Sequence, residues 1–251
     1  MEEYQSIFKR YEKKYIVSYD QRERLLELAG AHIKKDKYFK GTICSIYYDT
    51  PSNLIIRNSL EKPVYKEKIR LRSYGVPGND DEVFLEIKKK YEGIVYKRRT
   101  SLKLREAEDF FKGTREPHSQ IEKELMWSIE HYDGIHPAMY ISYDRISFCG
   151  TEDSTFRLTF DTNVTYRSTS LSLGDGIWGE KLLESGIYIM EVKSPYAIPL
   201  WLADGLEEIK VYPSSFSKYG TAYQTCSGNK ALTKTSSEKV NSIELPKLAL
   251  A

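Results

Sequence analysis

The sequence is poor in the residues that most enzymes use for covalent or acid–base chemistry, with 3 cysteines and 4 histidines among 251 residues. Cys44, Cys149 and Cys226 are odd in number and far apart, which excludes a disulfide framework and a thiolate metal cluster and points to a reducing compartment. His32, His118, His131 and His136 share no spacing, so surface or capping roles are expected of them. Long apolar runs are also missing. That excludes a helical membrane span, and the polar start Met-Glu-Glu-Tyr-Gln is no secretory leader, so a cytoplasmic protein is expected. Nor does either sign of charge dominate: 38 Lys and Arg against 36 Asp and Glu leave a net +2. This excludes a polycation that coats nucleic acid. The length and the 40% of hydrophobic residues suit one large globular domain.

What the sequence does have is charge placed with a period of two. Lys66, Lys68, Arg70 and Arg72 fall on one face of one strand, because successive side chains of a strand point to opposite faces. Such a ladder can follow a row of phosphates. From 82 to 90, Val83, Leu85 and Ile87 alternate with Glu86, Lys88 and Lys90; Lys97 and Arg99 share a face in the next run. Arg10, Glu12 and Lys14, then Arg145, then Arg157 with Asp161, then Glu191 with Lys193, repeat the pattern. One such strand is an ordinary half-buried antiparallel strand with its polar face in water. The recurrence over eight runs, near 7–17, 42–49, 64–74, 82–90, 94–101, 140–148, 154–161 and 186–193, makes it a property of the fold.

Gly75-Val-Pro-Gly-Asn-Asp-Asp81 and Tyr91-Glu-Gly93 are turn sequences, so 64–101 is expected to be a three-stranded meander. Ser18 with Gln21, and Ser119 with Glu122, have capping-box spacing before amphipathic runs; a third helix is expected from Pro199, and a short one after Ser214 or Ser215. These helices need apolar partners. The apolar strand faces supply them if they point outward, which leaves the charged faces lining a polar lumen. The fold class expected is therefore α+β: an eight-stranded antiparallel barrel with helices packed on its outside. One domain over 1–224 is expected, with 168–186 as a Ser- and Gly-rich loop and 225–251 as a flexible tail.

Confined like charges repel and lose hydration, at a cost of several kcal/mol per unpaired ion, so the lumen calls for a polyanion. Two readings of the interleaved acids Glu12, Glu86, Asp161 and Glu191 stand. They pair with the cations, or some of them hold a divalent metal that bridges phosphate oxygens. Tyr15, Tyr47 and Tyr48 read as sheet packing, with base stacking as the other possibility. Lys34-Lys-Asp-Lys37 reads as a solvated charge run that a protein partner or acidic lipid would also fit.

The ordered set Arg10-Tyr-Glu-Lys-Lys-Tyr15, Tyr47-Tyr-Asp-Thr50, Lys68-Ile-Arg-Leu-Arg72, Glu86-Ile-Lys88, Lys97-Arg-Arg99, Tyr143-Asp-Arg145, Arg157 with Asp161, Glu191-Val-Lys193 and Ser217-Lys-Tyr219 resembles the VTC domain. That is the polyphosphate polymerase branch of the triphosphate tunnel (CYTH-like) superfamily. The resemblance covers about residues 4–224. It implies an eight-stranded tunnel holding ATP or another triphosphate and inorganic polyphosphate, with Mn or Mg as cofactor. It also implies transfer of the terminal phosphoryl of ATP to a growing polyphosphate.

By the same resemblance Lys14, Arg70, Arg72, Lys88, Lys97, Arg145 and Arg157 contact the reacting phosphates. Arg10, Lys68, Arg99, Lys193, Ser217 and Lys218 add phosphate or nucleotide contacts, and Glu191 binds the metal, with Glu12 and Glu86 as further ligands to consider. Hydrolases and cyclases of the wider group begin with Glu-x-Glu-x-Lys where this sequence has Arg10-x-Glu12-x-Lys14; a metal ligand has become a cation, which favours the polymerase branch. Hydrolysis of triphosphate or polyphosphate is the runner-up, and a non-catalytic polyphosphate sensor the third reading. Nucleic acid is not an expected partner, because aromatics do not alternate with the cations as stacking platforms. Delivery of polymer across a membrane would need a separate membrane protein.

Overall fold

Alternating apolar and charged side chains give each strand one dry and one wet face, and the fold sorts them into two separate interiors. The computed structural model describes residues 11–228, except Gly93 and Tyr196. Its first half runs β1 (Tyr11–Ser18), α1 (Tyr19–Ala29), β2 (Ile33–Asp49), α2 (Leu54–Leu60), β3 (Tyr65–Tyr74), β4 (Glu82–Tyr91), β5 (Ile94–Lys103) and α3 (Leu104–Phe111). The second half runs α4 (Gln120–His131), β6 (His136–Gly150), β7 (Arg157–Arg167), β8 (Glu180–Lys181), β9 (Ile187–Ser194), α5 (Leu200–Glu208), β10 (Pro213–Ser214) and α6 (Lys218–Cys226).

All strands belong to one antiparallel sheet of order β10-β1-β9-β7-β6-β2-β3-β4-β5, with β8 paired to β7. The eight long strands are those expected, and the meander is β3–β4–β5. The sheet is strongly curled, and among the described residues its ladder does not close into a barrel. The curl is measurable: Lys88 of β4 bonds Glu12 of β1 at 3.1 Å. Six ladder spacings separate those strands, roughly 29 Å in a flat sheet, well beyond the joint reach of a lysine and a glutamate.

The outward faces carry the apolar side chains, as the patterning requires. Phe110 of α3 and Leu125 and Ile129 of α4 cover Ile69, Leu71, Val83, Leu85 and Ile87 of β3 and β4. Leu25 of α1 and Leu202 and Leu206 of α5 cover Tyr15, Val17, Leu158, Phe160, Met190 and Val192 of β1, β7 and β9. Gly205 of α5 permits close approach of the two helices, since a Cβ there would lie 3.0 Å from Leu25 Cδ1. A third cluster lies inside the curl. There Ile56 of α2 and Tyr219 and Ala222 of α6 pack on Tyr47, Met139, Ile141, Tyr143 and Ile189. The lumen is therefore part polar channel and part apolar plug.

The Ser18–Gln21 capping box forms in full, and Ser119 accepts from Glu122 N, although the Glu122 side chain turns instead to Thr100, Arg115 and His118 N. Several details differ from expectation. The fourth expected helix is capped by Ser217, three residues past Ser214. Pro199 is the N-cap of α5, just outside its first turn. Helices α2 and α3 went unforeseen, and the 168–186 loop contains β8. Helix α6 runs past 224 to Cys226, and from 229 the expected tail lies outside the described residues. No described helix is long and apolar enough to cross a membrane.

Candidate functional site

One wall of the lumen is β3–β4–β5. Its register puts Lys68, Lys88 and Lys97 in one cross-strand row and Arg70, Glu86 and Arg99 in the next. Like charges directly opposite repel, so this row is unstable by itself. Lys88 reaches Glu12 across the lumen, and one carboxylate of the wall itself serves four cations: Glu86 lies 2.7 Å from Arg70 Nε, 2.6 Å from Lys97 Nζ, 3.7 Å from Arg72 Nε and 4.0 Å from Arg99 Nε. Burial works to raise the Glu86 pKa, but Arg70, Arg72 and Lys97 overcome it and hold the acid far below its ordinary range. Burial likewise opposes the Arg70 charge, and Glu86 more than restores it. Lys97 is pushed down to about 8 by burial despite Glu86. Among the described residues Arg72 Nε is buried without a hydrogen-bond acceptor. Arg99 stacks its guanidinium 3.4 Å from the Phe84 ring centroid.

The facing wall comes from β6, β7, β9 and β1. Arg145 grips Asp161 in a bidentate pair, Nε–Oδ1 2.6 Å and Nη2–Oδ2 2.8 Å. Lys193 bonds Glu191 at 3.0 Å, and Lys14, in register with Glu191, donates to Phe216 O at 3.2 Å. Burial acts against the charge of Glu191 and of Asp161, yet both are held low: Glu191 by Lys193, Lys14 and Arg145, Asp161 by Lys218 and Arg145. Burial depresses Lys14, with Glu191 opposing.

Helix α6 completes the site. Ser217 caps α6 by accepting from Gly220 N and also accepts from Lys68 Nζ at 2.8 Å. Burial brings Lys68 down to about 8. Lys218 reaches Asp161 at 2.5 Å and lies 4.3 Å from the Tyr143 ring centroid. What aims α6 is Asp49, which is fully buried. It accepts from the N–H groups of Thr50, Ile55 and Ile56 at the start of α2 and from the Tyr219 hydroxyl at 2.9 Å. Tyr47 stacks on Tyr219 at 4.6 Å and accepts from Arg70 Nη1 at 3.3 Å. Burial tends to raise the Tyr47 pKa, but Arg70 and Lys68 bring it to about 8.

The Tyr47–Thr50 and Ser217–Tyr219 motifs are thus one structural unit. Sequence reading gave Asp49 no role; the available signal was the apolar Leu54-Ile55-Ile56 just after a Pro51 turn. Tyr15 and Tyr48 are packing residues, Tyr48 lying 3.6 Å from Phe111 between ring centroids.

The structure brings every expected site residue to this lumen but two. Arg10 lies outside the described residues. Arg157, in register with Lys193, stands half-exposed at the rim and is bonded to Asp36. All four histidines are exposed, and His32 and His131 stack on Trp201 and Trp127. Among the described residues no three His, Cys, Asp or Glu side chains converge as a metal cage. A magnesium-type ion needs only one or two carboxylates when phosphate oxygens complete its shell, and Glu191 satisfies that: it is ionised, inward, and flanked by cations able to hold the phosphate. Glu86, ringed by four cations, does not.

A candidate adenylate cyclase from Bacillus halodurans has the same fold, with a TM-score of 0.53 at 12% identity over 84% of this chain and 95% of that one. A candidate adenylyl cyclase from Hippeastrum, described as having a dominant triphosphatase activity, gives 0.47 at 14% identity over 85% and 95%. No curated protein matches the sequence. The VTC domain matches residues 9–227. The chain belongs to the VTC domain family.

Proposed function

We propose that this protein is a polyphosphate polymerase that transfers the terminal phosphoryl of ATP to inorganic polyphosphate held in the lumen. The observation that carries the reading is the sharing of Glu86 by Arg70, Arg72, Lys97 and Arg99. One carboxylate among these four cations leaves that wall with positive charge in excess, and a phosphate chain compensates it with the bidentate geometry that arginine favours. The VTC family and the tunnel fold support a function on triphosphates.

Transfer is favoured over hydrolysis by the state of the acids. Glu86 and Glu191 are held ionised well below their ordinary range, Asp161 is lowered too, all three are weak bases, and the histidines are exposed. Attack by water on phosphorus must shed a proton and is helped by a base or a water-positioning group. The terminal oxygen of polyphosphate is already an anion and needs none. Arg70, Arg72 and Lys97 hold the triphosphate, and Lys14, Arg145 and Lys218 align the acceptor from the facing wall. The acceptor oxygen bonds to the γ-phosphorus as the β–γ bridging P–O bond breaks; ADP leaves and the polymer gains one phosphate. The charge spread over the equatorial oxygens meets fixed cations that need no reorganisation. Glu191 would hold a divalent Mn or Mg, which supplies further charge neutralisation when bound.

Purified protein incubated with ATP and Mn²⁺, with and without a short polyphosphate primer, should give a ladder of long products on a gel, lost in Glu191→Gln. Free phosphate without a ladder would move the assignment to hydrolysis; neither product would leave a binder.

A further inference from the structure

Strand β2 is interrupted near its start by a segment that the sheet does not use for pairing. Lys35 pairs with Phe148 and Lys40 with Ile146, so residues 36–39 bulge out where β6 has only Ser147. Phe39 fixes the base of the bulge edge-on against Phe148, 5.4 Å between centroids, and Lys35 lies over the Phe39 ring. The rest faces water: Tyr38 is 76% exposed. Lys34, Lys35, Lys37 and Lys40 are exposed, and among the described residues none makes an ion pair. Among the described residues some surface cations are paired, as Arg24 is with Glu27 and Glu208, and others such as Lys62 and Lys123 are not; what sets this group apart is four unpaired lysines within seven residues. Asp36 is the exception within the bulge. It turns back to Arg157 at the rim of the lumen, next to Lys193 on the adjoining strand.

We propose that this lysine bulge is a second anion-binding surface, outside the tunnel, and that its ligand is the continuation of the same phosphate chain. The inference rests on the reading that the lumen holds such a chain. Asp36 occupies the guanidinium of the outermost inward-facing cation of β7, as a carboxylate standing where a phosphate would bind. A phosphate chain that displaces Asp36 from Arg157 meets Lys34, which shares the face of Arg157 through Cys149, and then the bulge lysines, with Lys35 beside Phe39 on the outer face. Lysines suit that task, because flexible point charges hold a moving polyanion without fixing its register, whereas an arginine fork fixes it. An acidic lipid surface would attract the same lysines, but a chain held in the lumen also meets Arg157, the partner of Asp36 at the rim. Length dependence is the signature: tripolyphosphate is short enough for the lumen alone, and a long polymer reaches both surfaces.

The test is binding of tripolyphosphate and of long-chain polyphosphate to the full-length protein and to the triple variant Lys34→Glu/Lys35→Glu/Lys37→Glu. Long-chain affinity is expected to fall about tenfold or more, with a shallower salt dependence, while tripolyphosphate affinity holds. Asp36→Asn, which frees Arg157, is expected to raise long-chain affinity. Equal losses for both ligands, or none, would overturn the inference. So would a loss confined to phosphatidylserine vesicles, which would make the bulge a lipid surface. Lysine-dependent binding by a protein that makes no polymer would uphold this inference and sink the polymerase; a polymerase indifferent to the triple variant would do the reverse.

Discussion

The two walls of the lumen balance their charges differently. On β3–β4–β5 four cations share Glu86, whereas on the facing wall Asp161 has Arg145 and Lys218, Glu191 has Lys193, and Glu12 reaches across to Lys88. The first wall is short of anions; the second is close to matched. A wall short of anions is a binding surface held at some cost to the fold, and a matched wall is a framework that aligns without needing ligand. Cations of similar burial are therefore expected to answer differently to removal.

The largest effect is expected from Arg70→Ala. Phosphoryl transfer should fall about 100-fold or more, while the melting temperature stays near wild type, because Glu86 keeps Arg72 and Lys97. A collapse in stability would break the comparison. Arg145→Ala tests the other wall: it strips the bidentate partner from a fully buried Asp161, so denaturant titration should show a loss of about 3 kcal/mol even with activity set aside.

These contrasts were only partly legible in the sequence. Period-two charge placed the long strands and their outward apolar faces, because alternation is a local property of a half-buried strand. The sharing of Glu86 by four cations depends on cross-strand register, which one strand's pattern does not encode; pairing was foreseen, its inequality was not. The role of Asp49 was invisible for a related reason. It caps α2 from several residues upstream and holds Tyr219 from the far end of the chain. Helix α2 is also short and starts from Asn53 in the left-handed region, φ 55°, so it lacks the usual N-terminal signature. The open ladder escaped notice because alternation looks the same in a closed barrel and in a curled sheet.

Two smaller tests sharpen the comparison. Asp49→Ala strands the donors of Thr50, Ile55, Ile56 and Tyr219 and should cost about 2 kcal/mol. It should also weaken tripolyphosphate binding through Lys218 and Ser217; unchanged binding at reduced stability would mean that α6 holds its place without Asp49. The smallest effect is in pH. Lys68 and Lys97 have folded-state values near 8, below the ordinary 10.5, so the fold carries the cost of charging them below pH 8 and is relieved of it as pH rises towards 10.5. Ligand affinity has the opposite sense. It should decline above pH 8 as the free protein loses those protons, with proton uptake on binding seen by calorimetry in two buffers, and Lys68→Arg/Lys97→Arg should flatten the decline.

The docking of α6 also has a consequence for the order in which the protein is made. Lys68, Asp49 and Lys14 find Ser217, Tyr219 and Phe216 at sequence separations of 149, 170 and 202. Contacts that distant form late and slowly. On the ribosome, β3–β4–β5 emerges with its row of lysines long before the helix that completes the lumen has been translated. Until residues 216–219 have been added, the lumen lacks the contacts that Lys14, Asp49 and Lys68 make to them.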